Sequence, residues 1–180
     1  MIVRHCSPTL AGLKTGSLFS CPYGDRMQLT RELQALNRKL VPKGLRVIPL
    51  STLRGRALIY LYRPRRLKND LANDEASALL AEYGYPVDGG ERCLVKLAEK
   101  LRSHEAFPHE IGLFLGYPPE DVRGFIENQA AHAKLNGCWK VYGDVNMARK
   151  VFEKYKKCTS VYCTQWKRGM SIERLAVADR

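Results

Sequence analysis

Five residues carry the side chains best suited to chemistry: His5, Cys6, Lys14, Arg63 and His109. Three of them fall in HCSPTLAGLK (5–14), where an imidazole, a thiol, two hydroxyls and an ammonium follow one another. A thiol beside a positive charge can ionise and act as a nucleophile. Adjacent side chains on an extended segment point to opposite faces, however, and Cys-His pairs usually form between residues distant in sequence. The better fit is a loop that presents Ser7, Thr9 and Lys14 to an anion. Arg63 stands where a tyrosine-rich run, YLYRPRR (60–66), turns into a cluster of arginines. Its planar fork suits a carboxylate or phosphate, and binding groups gather where strands run into loops. Arg65 and Arg66 are expected in solvent. Tyr60 and Tyr62, two apart, share a face on which they either stack against a planar ligand or complete the core.

His109 opens a longer block, FPHEIGLFLGYPPEDVRGFIEN (107–128). A zinc protease helix needs a second histidine four residues on, and Leu113 occupies that position. Glu110 suits the first turn of a helix. Gly116-Tyr117-Pro118 reads as a turn, with Pro119 in the first turn of the next helix, where its missing N–H costs nothing. Gly112, Gly116, Val122 and Phe125 also fall at helix-turn-helix offsets. Against DNA reading stand Glu120, Asp121 and Glu127, with Arg123 as the segment's only cation. Such a segment would repel a phosphate backbone. The block therefore reads as a packed corner between two helices.

The 180 residues suffice for one domain with its own core, and the composition is that of an ordinary globular chain. No window is apolar enough to span a bilayer, and polar residues interrupt the N-terminus where a signal peptide would be apolar. Both features point to a cytoplasmic protein without membrane partners. The six cysteines show no CxxC spacing, so no metal site is expected. The net charge of +12 is unevenly spread. Residues 1–66 hold thirteen Lys and Arg against Asp25 and Glu32, whereas residues 67–180 are nearly balanced, seventeen against sixteen. A field polarised in this way attracts anions.

These groups need elements to position them. Leu29, Leu33, Leu36 and Leu40 predict a helix over 26–40. LRVIPL (45–50) and ALIYLY (57–62) read as an antiparallel hairpin, with Pro49 pushing the first strand to a sheet edge. SLF (17–19) and WKVY (139–142) are weaker strands. Helices are predicted over 67–84 and 91–103. Another begins after an Asp144 cap and carries Ala148, Val151, Phe152 and Tyr155, and a short last one begins at Ser171. The sum is an α+β domain with a small, mainly antiparallel sheet packed against several helices. Its basic half, 1–66, holds the strands, and 67–180 is rich in helix.

HCSPTLAGLK, LIYLYRP, FPHEIGLFLGYPPEDVRGFIEN and GCWKVYGD resemble, in this order along nearly the whole chain, a bacterial domain family of unknown function numbered 3793. The sequence departs from that pattern at Pro119, where similar proteins often carry Leu, and in NQAAHAKLNGC, where they tend to have a shorter loop. The resemblance implies a one-domain cytosolic protein and brings no catalytic or binding residue with it.

Together these features predict that the basic half receives an anionic small molecule or cofactor, as a binding protein or an enzyme. Lys14 and Arg63 would receive the charge, with His5, Cys6 and His109 as polar groups nearby. Two other readings stand beside this one. The first is weak, sequence-indifferent nucleic-acid binding through the basic half, with the 108–127 corner as scaffold. The second is an interaction module without chemistry. The sequence names no cofactor and is silent on oligomeric state.

Overall fold

A computed structural model describes residues 2–53, 55–86, 90–103 and 106–179. The first half of the chain runs α1 (Ile2–Leu10), β1 (Gly16–Pro22), α2 (Arg26–Leu40), β2 (Arg46–Leu53), β3 (Arg56–Tyr62), α3 (Pro64–Leu71) and α4 (Asp74–Glu82). It continues through α5 (Glu91–Arg102), α6 (Ile111–Phe114), α7 (Pro119–Glu127), β4 (Leu135–Asn136), β5 (Lys140–Val141), α8 (Val145–Lys167) and α9 (Ile172–Leu175). The fold is α+β, with antiparallel sheets and a majority of helix. No helix among the described residues is long and apolar enough to cross a membrane. The chain divides into two compact units, one of residues 1–66 with 158–180 and the other of residues 67–157.

The first unit is built on a three-stranded antiparallel sheet in the order β1-β3-β2. The predicted hairpin pairs Arg46 with Tyr62 and Leu53 with Arg56, and the register shifts between Pro49 and Ser51. Pro49 lies on an edge strand, as a residue without an N–H must. Alternation along β3 turns Ala57, Ile59 and Leu61 into one core with Leu29, Leu33 and Leu40 of α2 and with Cys6 and Leu10 of α1. Asn37 pins α2 to the edge strand: its amide donates to the Val47 carbonyl at 2.8 Å and accepts from the Val47 N–H at 2.9 Å. Tyr60 and Tyr62 stack at 4.8 Å between ring centroids, and both are buried.

Two readings of the sequence are corrected here. HCSPTLAGLK is not a loop, because most of it lies in α1, which contains Pro8. Val3, Cys6 and Leu10 share one face of that helix and are buried together. The hydroxyls that resembled a ligand cradle face inward, with Ser7 Oγ donating to the Val3 carbonyl and Thr9 and Ser17 sharing a 2.8 Å hydrogen bond.

Arg63 does not face solvent either. It is 0% exposed, and its backbone N–H donates to the Thr15 carbonyl at 2.9 Å. Its Nε donates to the Thr9 carbonyl at 2.8 Å, and one Nη donates to the carbonyls of Leu10 (2.9 Å) and Val177 (2.7 Å). The other Nη pairs with the Asp179 carboxylate. The guanidinium thus ties the end of α1 to the C-terminal segment, and an external anion cannot reach it.

In the second unit the predicted helix over 67–84 is two helices. Asn73 interrupts it and caps the second, its side-chain oxygen accepting from the N–H groups of Glu75 (3.1 Å) and Ala76 (3.3 Å). Asp144 caps α8 in the same way, accepting from Asn146 and Met147. The corner forms as predicted, with Gly116 at φ +74° and Pro119 as the first residue of α7.

Removing Arg63 should show what its enclosed guanidinium contributes to stability. Arg63→Met removes three hydrogen bonds to carbonyls and the Asp179 ion pair, although the Gly12 N–H still serves the Thr9 carbonyl and the Val177 N–H that of Leu10. The change should lower stability by about 2–4 kcal/mol. Arg65→Met, on the exposed side of α3, should change it by less than about 0.5 kcal/mol. Urea denaturation of the two variants would measure the difference, and equal midpoints would contradict the structural role of Arg63.

Candidate functional site

The second unit contains a cavity of about 500 Å³, a common size for small-molecule sites. The α6–α7 corner contributes Ile111, Gly112, Leu115 and Val122 to its lining, and the β4–β5 ribbon contributes Asn136 and Lys140. Aromatic rings complete it. His109 lies 5.6 Å from the ring of Phe107 and 5.0 Å from that of Phe125. Tyr117 stacks on Trp139 at 5.0 Å.

The corner can close this tightly because position 112 has no side chain. A Cβ there would come within 2.8 Å of Val122 and 3.2 Å of Tyr117, so α6 and α7 meet at glycine contact distance. At Gly116 the left-handed backbone reverses the chain between the two helices.

Two carboxylates hold the walls. Asp121 is 3% exposed and accepts three hydrogen bonds: from Trp139 Nε1 (2.6 Å), the Tyr142 N–H (2.7 Å) and the Gly143 N–H (2.8 Å). It therefore fixes the indole and the chain just past β5 against the first turn of α7. Glu110 is 2% exposed and accepts from the Tyr85 hydroxyl and Lys100 Nζ, each at 3.0 Å. Burial, and then the Glu110 charge, pushes the Tyr85 hydroxyl well above its ordinary pKa. Burial likewise pushes Tyr117 up to about 12, so both phenols stay protonated at neutral pH. The sequence reading took Asp121 for a surface charge; it placed Glu110 at a helix start, where the structure has it just before α6, but did not foresee its burial. A signal for the second was present, since Glu110 is the lone acid in the apolar run FPHEIGLF.

Of the five candidates, only His109 lines this cavity, where its ring is exposed. The other four belong to the first unit. His5 is exposed on α1, stacked 5.9 Å from Phe19. Cys6 is fully buried, and burial pushes its thiol up to about 12 against a partial offset from Lys14 and Ser17. That environment is the reverse of an activated thiolate. Lys14 is half-buried and Arg63 is enclosed. Sequence reasoning missed Lys140 and Asn136 because they stand on strands of two residues each. Lys140 Nζ donates to the Ala130 carbonyl. Among the described residues, no three His, Cys, Asp or Glu side chains gather as a metal site.

Two variants separate wall from lining. Asp121→Ala strands three donors and should cost about 3–5 kcal/mol, whereas His109→Ala, with its ring exposed, should cost less than about 1 kcal/mol. Chemical denaturation of both would check this, and a severe loss from His109→Ala would make the imidazole part of the core. Thiol alkylation of the native protein at pH 8, mapped by mass spectrometry, should mark the exposed Cys138 first and spare the buried Cys6 and Cys93 until the protein unfolds. Early labelling of Cys6 would contradict the packing of α1.

Nothing matches the chain among the curated proteins or among the solved structures. Residues 2–176 match the family described as "Protein of unknown function (DUF3793)". That span takes in every element from α1 to α9, including the corner, the ribbon and the cavity between them, and the chain belongs to this family.

Proposed function

We propose that the chain binds a planar, largely apolar molecule carrying an anionic group, and that it does so in the cavity of the second unit. What supports this is the imidazole of His109, exposed between two phenyl rings in a lining that also contains Lys140 and Asn136. Apolar and aromatic walls with a few convergent polar groups are the usual make-up of a small-molecule site. Flat faces favour a flat ligand through offset stacking. An ammonium has three donors, and the bond to Ala130 uses one of them. A carboxylate or phosphate on the ligand would take another as a charge-assisted hydrogen bond. Asp121 also lines the cavity, and its three donors are neutral groups that leave its charge in place, so the ligand's anionic group would sit at Lys140 and away from Asp121. The anionic character expected from the basic N-terminal half thus moves to a different cation, Lys140, because Arg63 is enclosed.

Calorimetric titration with 1-naphthoate and its uncharged amide would test this. The carboxylate should bind more tightly by about tenfold, the effect of one charge-assisted hydrogen bond worth about 1.5 kcal/mol. Lys140→Met should erase that preference, and Phe125→Ala should weaken both probes. Failure of the carboxylate to bind at millimolar concentration, or binding indifferent to both substitutions, would sink the proposal.

A further inference from the structure

The stretch of α8 from Arg149 to Lys157 carries five cations, Arg149, Lys150, Lys154, Lys156 and Lys157, all exposed. At 100° per residue they fall on a single arc of about 160°. Glu153 lies within that arc, leaving a net charge of +4 over nine residues. Among the described residues none of the five forms a salt bridge, with Glu153 or with any other acid. Like charges three and four apart on a helix, such as Lys150–Lys154 and Lys154–Lys157, repel and cost stability. Glu153, three or four residues from Arg149, Lys150, Lys156 and Lys157, offsets only part of this repulsion.

The opposite face of the same stretch is occupied. Ala148 is buried with Trp139 and Val141, and Val145, Val151, Phe152 and Tyr155 pack on that cluster. Met147 is the only large apolar side chain exposed between 145 and 157 among the described residues. An amphipathic helix that lies on a membrane inserts its apolar face, and here that face is already committed to the core. What remains is a strongly cationic surface, five positive side chains around one Glu153. Its nine residues rise about 12 Å, a length over which a nucleic-acid duplex presents about seven phosphates. We infer that the Arg149–Lys157 face of α8 docks the phosphate backbone of a nucleic acid without reading its sequence. The site is distinct from the 108–127 corner, whose second helix is acidic at its N-terminus.

Fluorescence anisotropy with labelled duplexes of about 20 base pairs, titrated across salt, tests this. Five phosphate contacts predict a log–log salt slope of about −4.5, and the triple change Lys150→Gln, Lys154→Gln, Lys157→Gln should reduce its magnitude by about 3. Affinity at low salt should fall at least tenfold in that variant, and Glu153→Gln should raise it. Duplexes of two unrelated sequences should bind alike. The inference is overturned if the triple variant keeps the wild-type slope. It is equally overturned if Arg26→Gln, Arg31→Gln, Arg38→Gln on the exposed side of α2 causes the same loss, since net charge alone would then explain binding. Preference for one sequence over the other, or for vesicles rich in phosphatidylserine over duplex at equal salt, would overturn it as well.

Discussion

Asp121 is 3% exposed, and a carboxylate taken that far from water must find donors or give up its charge. Here it finds three, from an indole and two backbone N–H groups eighteen to twenty-two residues further along the chain. Those bonds do for the second unit what its small β4–β5 ribbon could not do alone. A pair of two-residue strands has too little ladder to set its own orientation. With the carboxylate anchored in the first turn of α7, the ribbon and Trp139 are held to the corner, and Asn136 and Lys140 come with them. The anchor is thus itself part of the lining of the cavity whose walls it holds together.

Arg63 plays the corresponding part in the first unit with the opposite sign. Three carbonyls and one carboxylate surround its guanidinium, so the charge is paired and the donors are engaged in several directions. The arginine is buried and the Asp179 carboxylate partly reaches solvent, so the pair adds little net stability over an apolar replacement of the same shape. Its geometric effect is to fix which segments meet. The end of α1 and the C-terminal segment after α9 are held to the end of β3 by a single side chain.

What could be read from the sequence follows from how far apart the interacting residues lie. Leu29, Leu33 and Leu40 announce α2 because their spacing is local, and Pro49 announces an edge strand because its missing N–H is a property of one residue. Gly116 and Pro119 fix the corner for the same reason. Asn73 was equally local, yet the apolar rhythm around it masked its capping role. α1 was harder, since Pro8 between two hydroxyl residues has the composition of a loop. Only the burial of Val3, Cys6 and Leu10 against the sheet shows why the helix forms there. Arg63 could not be assigned from sequence at all: its carboxylate partner lies 116 residues away, and an arginine after a strand looks alike whether it faces solvent or the core. Of the proposed site residues, His109 alone was legible, because it stood out against its apolar block.

Charge counted along the sequence and charge displayed on the surface are different quantities. The N-terminal 66 residues hold nearly all of the net excess, but that sum includes Arg63, which is enclosed, and Arg66, which donates to the Gly12 carbonyl. The C-terminal part is nearly neutral in sum, yet its acids and bases are segregated. Glu110 and Asp121 are buried and engaged by donors, Glu82 is paired with Arg123, and both Glu120 and Asp121 fall in the first turn of α7. The cations of α8 are left together on an exposed arc with Glu153 alone among them. A balanced sequence can therefore present a strongly positive face once folding withdraws or pairs its acids, and a basic one can lose part of its field inward. For a partner that senses potential at the surface, such as a phosphate chain, the local density on α8 matters more than the sum over either half.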